Sequence, residues 1–140
     1  MDKTIIARDP AEMEEIGIGI AETLVDGSLV SLVGPLGSGK TTLAKGIAKG
    51  LLITDVVTSP SYLLARTYTG RLTFHHIDAY RISSLAEFAE VGLDAYLPPE
   101  KGVTAVEWPD RIDGLVELSD VHVRIEILEE GVRRVHVTQR

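Results

Sequence analysis

The feature that most constrains this chain is a glycine-rich octapeptide that directly follows a short apolar run. Residues 34–41 read Gly-Pro-Leu-Gly-Ser-Gly-Lys-Thr, which fits the pattern G-x-x-x-x-G-K-[ST], and residues 29–33 read as a buried strand. Glycines let the backbone turn so that successive N–H groups converge on an anion, and the positive end of a following helix adds to the attraction. The pattern therefore predicts a strand, a phosphate-binding loop and a helix, in that order.

The residues of this loop are expected to hold a nucleotide polyphosphate together with a metal ion. The Lys40 side chain is expected to contact the β- and γ-phosphates. Thr41 is expected to offer its hydroxyl to the Mg²⁺ that accompanies a polyphosphate. The predicted nucleotide-binding residues of the loop are Gly37, Ser38, Gly39, Lys40, Thr41 and Thr42.

Length and composition narrow the classes of protein that fit. We expect residues 1–140 to form one domain, because 140 residues suffice for one sizeable core and not for two. The chain has no cysteine, which excludes disulfides, thiol nucleophiles and cysteine-ligated zinc. Its apolar runs are too short to span a bilayer and its first residues do not open a signal peptide, so a cytoplasmic location without a membrane contact is expected.

The net charge of −7 argues against a nonspecific electrostatic grip on nucleic acid, which requires an excess of lysine and arginine. Any contact with RNA would then need a partner protein.

Hydrophobic periodicity and breaker residues predict alternating strands and helices. Asp9 and Pro10 should cap and begin the first helix, and Ser84 should cap a later one. The predicted strands are 4–7, 28–33, 62–68, 72–78, 103–107, 121–127 and 132–138, and the predicted helices are 10 to about 26, 40 to about 49, and 85–91. We expect hairpins at 62–78 and at 121–138.

Two of these strands end on an acidic residue, Asp78 and Glu107. Ligands of open α/β sheets gather at the carboxyl ends of the strands, so both carboxylates are candidates for the shell of Mg²⁺ and for orienting an attacking water. Each could instead be a helix cap or an exposed strand end, since many strands end in Asp or Glu.

Other residues near these strand ends have weaker indications of function. The segment Thr58–Ser61 could act as a switch that meets the γ-phosphate, or it could be a plain turn. Trp108 could contact the nucleotide or a partner, or only pack. His75 and His76 are adjacent in a strand and so point to opposite faces, which excludes a two-histidine metal pair on one face. One of them could lie near the site, or be a packed or surface histidine.

Arg81, just past Asp78, could stabilise phosphate charge or merely pair with a surface acid.

Composition and length also help to distinguish among the classes of enzyme that contain such a phosphate-binding loop. The chain contains no asparagine, so it lacks the N-K-x-D segment with which ordinary GTPases read guanine. A small-molecule kinase usually needs a lid and a second substrate pocket, for which the chain has little length. The kinase class nevertheless stays open as a third alternative.

Four segments together resemble the bacterial TsaE family, also called YjeE, the small ATPase of tRNA threonylcarbamoyladenosine biosynthesis. They occur in the order found in that family, within a stretch from about residue 27 to 110. Two positions depart from the usual family sequence: Pro35 stands in place of Asp, and Ser61 in place of Thr. The segments are Gly34–Thr42, Ser59–Tyr62, His76–Arg81 and Glu107–Pro109.

This resemblance implies an α/β fold, a three-layer P-loop nucleotide-binding fold with a mixed parallel and antiparallel central sheet. It implies binding of ATP or ADP with Mg²⁺, and hydrolysis of ATP that is weak in the isolated protein. It further implies two partner proteins, TsaB and TsaD, which carry the transfer of threonylcarbamoyl to adenosine 37 of tRNA. In that case the tRNA is held mainly by the partners.

The resemblance also implies roles for single residues. Lys40, Asp78 and Glu107 are the implied catalytic residues, and Thr41, Asp78 and Glu107 the implied metal ligands. Ser61 would be the switch hydroxyl, and Trp108 would lie near the nucleotide. Two functions remain open at this point, an ATP hydrolase that resets a transfer complex between rounds and a nucleotide-gated binding module in which hydrolysis is incidental.

Overall fold

The computed structural model describes residues 2–60 and 64–140. Within these ranges the chain forms seven strands, three α-helices and three short 3₁₀ turns. The strands are β1 (Asp2–Ala7), β2 (Leu29–Val33), β3 (Ala65–Tyr68), β4 (Phe74–Asp78), β5 (Val103–Glu107), β6 (Val121–Glu129) and β7 (Val132–Gln139). The helices are α1 (Pro10–Ala21), α2 (Lys40–Gly50) and α3 (Leu85–Glu90), and the 3₁₀ turns are Asp94–Tyr96, Pro109–Arg111 and Val116–Leu118.

The described strands form one mixed sheet in the order β1-β7-β6-β2-β5-β4-β3. The four central strands, β6, β2, β5 and β4, are parallel to one another. Both margins are antiparallel, because β3 and β4 form a hairpin and β7 pairs with both β6 and β1. The predicted mixed α/β sheet is confirmed, and so are both hairpin pairings in the described residues.

Side chains alternate between the two faces of the sheet and contribute to two apolar cores. One core joins Val30 and Leu32 of β2 to α1 and α2, and the other joins Leu29 of β2 to Phe88 of α3. Phe74 and Ala105 belong to the first core, and side chains two residues apart share a face, so Asp78 and Glu107 lie on the face covered by α2. Asp78 and Glu107 are also direct partners in the parallel register of β4 and β5.

Helices α1 and α2 cross at unusually short range, because each has a glycine at the contact. A Cβ atom at Gly17 would lie 2.3 Å from the carbonyl oxygen of Leu43, and one at Gly46 would lie 2.1 Å from that of Glu14. Gly19 lies on the same helix with nothing within 4 Å of a Cβ atom. The glycine that weakens α1 at position 17 therefore serves helix packing, whereas the one at position 19 does not.

The predicted starts of the capped helices α1 and α3 are confirmed, whereas the predicted end of α1 is wrong. Asp9 caps α1 by accepting a hydrogen bond from the Glu12 N–H at 2.8 Å, and Ser84 caps α3 by accepting one from the Glu87 N–H at 3.2 Å. Helix α1 ends at Ala21, five residues before the predicted end near Asp26. The hydroxyl of Thr23 donates to the Ile20 carbonyl oxygen at 2.7 Å, taking up an acceptor that a continuing helix would use.

No helix of the described residues is long and apolar enough to cross a membrane.

Candidate functional site

A cavity of about 290 Å³ lies where the glycine-rich loop meets the ends of the parallel strands. The loop follows β2, Asp78 ends β4 and Glu107 ends β5, and because these strands are parallel their carboxyl ends share one edge of the sheet. The cavity wall consists of residues 36–42, Ser59, Asp78, Glu107 and Trp108. The structure thus brings together all of the predicted nucleotide-binding, metal-binding and catalytic residues except Ser61, which lies outside the described residues.

The loop backbone forms a turn that only glycine adopts without strain. Gly37 and Gly39 have φ angles of +76° and +111°, in the left-handed region. Gly39 directly precedes α2, so the N–H groups at the start of that helix border the cavity. Free N–H groups and the positive end of a helix dipole make such a position favourable for phosphate.

Arg133 of β7 holds this loop from outside the cavity. Its Nε donates to the Ser38 carbonyl oxygen at 3.0 Å, and its Nη2 donates to the Gly37 carbonyl oxygen at 3.1 Å. Two hydrogen bonds from one guanidinium limit how these peptide groups can rotate. Sequence reasoning missed Arg133, because no local signal shows which strand lies beside the loop.

Lys40 is nearly buried at the first position of α2 and bends back over the loop. Its Nζ donates to the carbonyl oxygens of Gly34 at 2.6 Å and Pro35 at 3.0 Å, and lies 3.9 Å from the centre of the Trp108 ring. Proline lacks an N–H and keeps its carbonyl, so Pro35 supplies an acceptor here. The Lys40 ammonium therefore lies at the cavity with partners that a phosphate can replace.

Burial lowers the pKa of Lys40 below the ordinary lysine value, and the negative charges of Glu107, Asp110 and Asp78 act in the opposite direction. A bound anion stabilises an ammonium group with little access to water more strongly than it stabilises an exposed ammonium group.

The carboxylate of Glu107 is buried and accepts hydrogen bonds from two other elements. The Thr41 hydroxyl lies 3.0 Å from Oε2 and 3.3 Å from Oε1. Nε2 of His76 lies 2.6 Å from Oε2. Glu107 is only 4% exposed, so the alternative of an exposed strand end is wrong for this residue.

Asp78 is likewise buried, with 5% exposure, and its Oδ1 accepts a hydrogen bond from the Tyr80 N–H at 2.9 Å. The side chain closes a turn after β4 while it also lies in the cavity wall. An exposed strand end is therefore wrong for Asp78 as well.

Aromatic rings line one side of the site and continue to the surface. Trp108 has a left-handed backbone with φ +61°, and its ring meets the half-exposed ring of Tyr80 edge to face at 5.2 Å. The Arg111 guanidinium lies 4.5 Å from the centre of the Tyr80 ring. Neither Tyr80 nor Arg81 belongs to the cavity wall.

The two adjacent histidines point to opposite faces, as predicted. His76 reaches Glu107, whereas His75 stacks on Tyr96 with ring centres 4.2 Å apart and pairs with the Thr67 hydroxyl at 3.0 Å. Burial lowers the pKa of His75, so the neutral ring is favoured at its position.

The oxygen atoms of this site suit Mg²⁺ bound together with phosphate better than a metal ion held by protein side chains alone. In residues 2–60 and 64–140, no three His, Cys, Asp or Glu side chains form a group that could hold a metal ion. Thr41, Asp78 and Glu107 offer oxygen atoms only, and Mg²⁺ is commonly held by one or two carboxylates plus substrate phosphates. The Thr41 hydroxyl donates its hydrogen to Glu107 and keeps its lone pairs available for a metal.

Comparison with known proteins adds independent information. The sequence model of the family described as "Threonylcarbamoyl adenosine biosynthesis protein TsaE" matches residues 7–135. A protein of Treponema pallidum named tRNA threonylcarbamoyladenosine biosynthesis protein TsaE is 34% identical over 132 residues, which cover 94% of this chain and 97% of that protein. A protein of the same name from a Nostoc species is 35% identical over 142 aligned residues, covering 99% of this chain and 86% of that protein.

The fold is similar to that of a solved structure as well. The crystal structure of YdiB from Bacillus subtilis superposes with a TM-score of 0.80 at 29% identity, over 99% of this chain and 86% of the other.

Proposed function

The chain belongs to the TsaE family of threonylcarbamoyl adenosine biosynthesis proteins, and on that premise we propose that it binds and hydrolyses Mg²⁺-ATP to support threonylcarbamoyl transfer to adenosine 37 of tRNA. We further propose that it works with partner proteins of the TsaB and TsaD kind, which hold the tRNA. One observation carries the proposal: the phosphate-loop residues Lys40 and Thr41 and the carboxylates Asp78 and Glu107 line a single cavity.

Within this proposal, the loop and its lysine bind the phosphates of ATP or ADP. The N–H groups around Gly39 and the ammonium of Lys40 meet the phosphate oxygens, and Lys40 exchanges its carbonyl partners for them. Thr41, Asp78 and Glu107 are the residues that would hold Mg²⁺. When bound, the metal ion supplies positive charge that offsets the charge on the phosphate oxygens.

Glu107 has a second role in the proposal, because a carboxylate beside the γ-phosphate can orient water. The water oxygen attacks the γ-phosphorus, the bond to the bridging oxygen of ADP breaks, and both protons of the water leave with inorganic phosphate as H₂PO₄⁻. Glu107 is suited to this role because it is buried and two hydrogen-bond donors, Thr41 and His76, limit its motion.

Replacement of Glu107 by glutamine tests this role. The Glu107→Gln variant keeps the side-chain shape and loses the negative charge, so we expect phosphate release to fall on the order of 100-fold or more. Release is measured with purified protein alone and with the two partner proteins. Binding of ADP, followed by calorimetry, should persist because the loop is intact.

Glu100→Gln serves as the control, since Glu100 is exposed and lies outside the cavity wall. Full partner-stimulated hydrolysis by Glu107→Gln would show that Glu107 does not position the water.

A nucleotide-gated binding module is the second candidate, and the position of Ser59 in the cavity wall favours it. In that case a bound triphosphate that contacts Ser59 creates a docking surface for a partner, and hydrolysis is incidental. A non-hydrolysable ATP analogue separates the two candidates. Repeated rounds of tRNA modification with the analogue would support gating and contradict the hydrolase, whereas a single round would support hydrolysis as the resetting step.

A further inference from the structure

His76 is a buried polar side chain to which neither the phosphate loop nor the predicted metal shell assigns a task. It is 0% exposed, it lies on β4 opposite Ala105 of β5, and its Nε2 is 2.6 Å from Oε2 of Glu107. An apolar residue would fill this space in the core without the cost of burying a polar ring. The hydrogen bond to Glu107 is what distinguishes histidine from such a residue.

The surroundings of the ring determine which nitrogen carries the hydrogen atom. The Glu107 carboxylate only accepts hydrogen bonds, so Nε2 of His76 is the donor. Nδ1 is buried and has no hydrogen-bond partner in the described part of the chain. The ring of Phe74 stacks beside that of His76 with centres 5.8 Å apart and an angle of 13° between planes. The imidazole is therefore confined by packing, and within residues 2–60 and 64–140 its one polar contact is Glu107.

Oε2 of Glu107 receives two donors from two different elements. Thr41 approaches from the first turn of α2, and His76 approaches from the neighbouring strand β4. A carboxylate held by one donor can rotate about its last torsion, whereas two donors on one oxygen leave a single favourable orientation. A hydroxyl that also binds a metal ion has less freedom to hold the carboxylate, whereas His76 is not among the predicted metal ligands.

We propose that His76 is a positioning residue for ATP hydrolysis, which acts by holding the Glu107 carboxylate in one orientation towards the cavity. This inference rests on the proposed function, because it requires that Glu107 orients the attacking water. His76 does not belong to the cavity wall, so in this arrangement it would touch neither the nucleotide nor the reacting atoms.

A matched pair of substitutions isolates the hydrogen bond from packing. Glutamine and methionine have similar length and volume, but only glutamine has an N–H group near the position of Nε2. We expect His76→Met to lower the kcat of partner-stimulated ATP hydrolysis by about 10- to 100-fold, and His76→Gln to recover most of that loss. The affinity for ADP without Mg²⁺ should be unchanged in both, because the phosphate loop is intact, so the effect on kcat does not come from lost phosphate binding.

His75 supplies the control, because it is adjacent in sequence and points to the opposite face. His75→Met should leave kcat unchanged. Equal kcat values for His76→Gln and His76→Met, or a wild-type kcat for His76→Met, would overturn the inference. Should His76→Met not fold, as judged by thermal melting, His76→Gln decides alone: a rate near that of wild type supports positioning, and a rate as low as that of Glu107→Gln overturns it.

A double substitution separates failure of this inference from failure of the proposed function. If His76 acts through Glu107, adding His76→Met to Glu107→Gln should cause no further loss of rate. An additional loss of the full single-variant size would show that His76 acts independently of Glu107. Wild-type hydrolysis by Glu107→Gln would instead refute the proposed role of Glu107, whatever the His76 variants do.

Discussion

Single residues at this site differ in how far the sequence predicts them. Lys40 and Thr41 follow from the loop pattern, and Asp78 and Glu107 from their places at strand ends, and all four reach the same cavity. The partners of these residues could not be predicted, because they come from distant parts of the chain. His76 is 31 residues from Glu107, and Arg133 is 95 residues from Ser38.

Arg133 permits a prediction at this scale. We expect Arg133→Met to weaken ADP binding in the presence of Mg²⁺ by about tenfold, because the variant loses two charge-assisted hydrogen bonds that hold the loop carbonyls. Isothermal titration calorimetry measures the affinity. Arg134→Met is the matched control, since Arg134 lies 3.9 Å from Glu126, whereas the hydrogen bonds to the loop carbonyls come from Arg133. Equal affinities of the two variants would show that Arg133 does not shape the loop for phosphate.

At the scale of elements, α1 and α2 show why local propensity alone is a poor guide. Gly17 and Gly19 both weaken α1 as an isolated helix, by the same intrinsic amount. Only Gly17 lies against another backbone, where a side chain would collide with the Leu43 carbonyl. The contact also positions the first turn of α2, which carries Lys40 and Thr41.

These two glycines provide a paired test of stability. We expect Gly17→Ala to lower the free energy of unfolding by about 1–3 kcal/mol through overpacking, as measured by urea denaturation. Gly19→Ala should raise it by about 0.5–1 kcal/mol, because nothing lies within 4 Å of the added methyl group and alanine favours helix. A stabilising effect of both substitutions would mean that the two helices do not pack as closely as described.

At the scale of the whole molecule, binding and folding are coupled. The cavity draws its wall from the loop after β2, from α2 and from the ends of β4 and β5, and these contacts require the folded sheet. A ligand that binds only the folded state stabilises it in proportion to the logarithm of its concentration. The melting temperature therefore reports whether a nucleotide binds at this site.

We expect ADP with Mg²⁺ to raise the melting temperature, with a stabilisation of about 2.7 kcal/mol when the ligand is at 100 times its dissociation constant. Removal of Mg²⁺ by EDTA should reduce the shift, because the predicted metal shell includes phosphate oxygens. Lys40→Met should abolish most of it. Differential scanning calorimetry or fluorescence melting measures these shifts, and the absence of any shift at millimolar ADP and Mg²⁺ would contradict nucleotide binding.

What the sequence by itself determined is local. The glycine-rich loop, the caps Asp9 and Ser84, and the alternation that puts His75 and His76 on opposite faces all depend on residues within a few positions of each other. Backbone sterics and local hydrogen bonding act over that range, so these features can be predicted from short segments of the sequence.

The tertiary structure alone decided which elements became neighbours. The order β7-β6-β2-β5-β4, the pairing of Asp78 with Glu107 and the contacts of His76 and Arg133 all join residues far apart in the chain. Such contacts form only where burial of apolar surface over the whole sheet offsets the entropy lost in ordering the chain. That free-energy balance depends on the complete fold, so these contacts cannot be predicted from a short segment of the sequence.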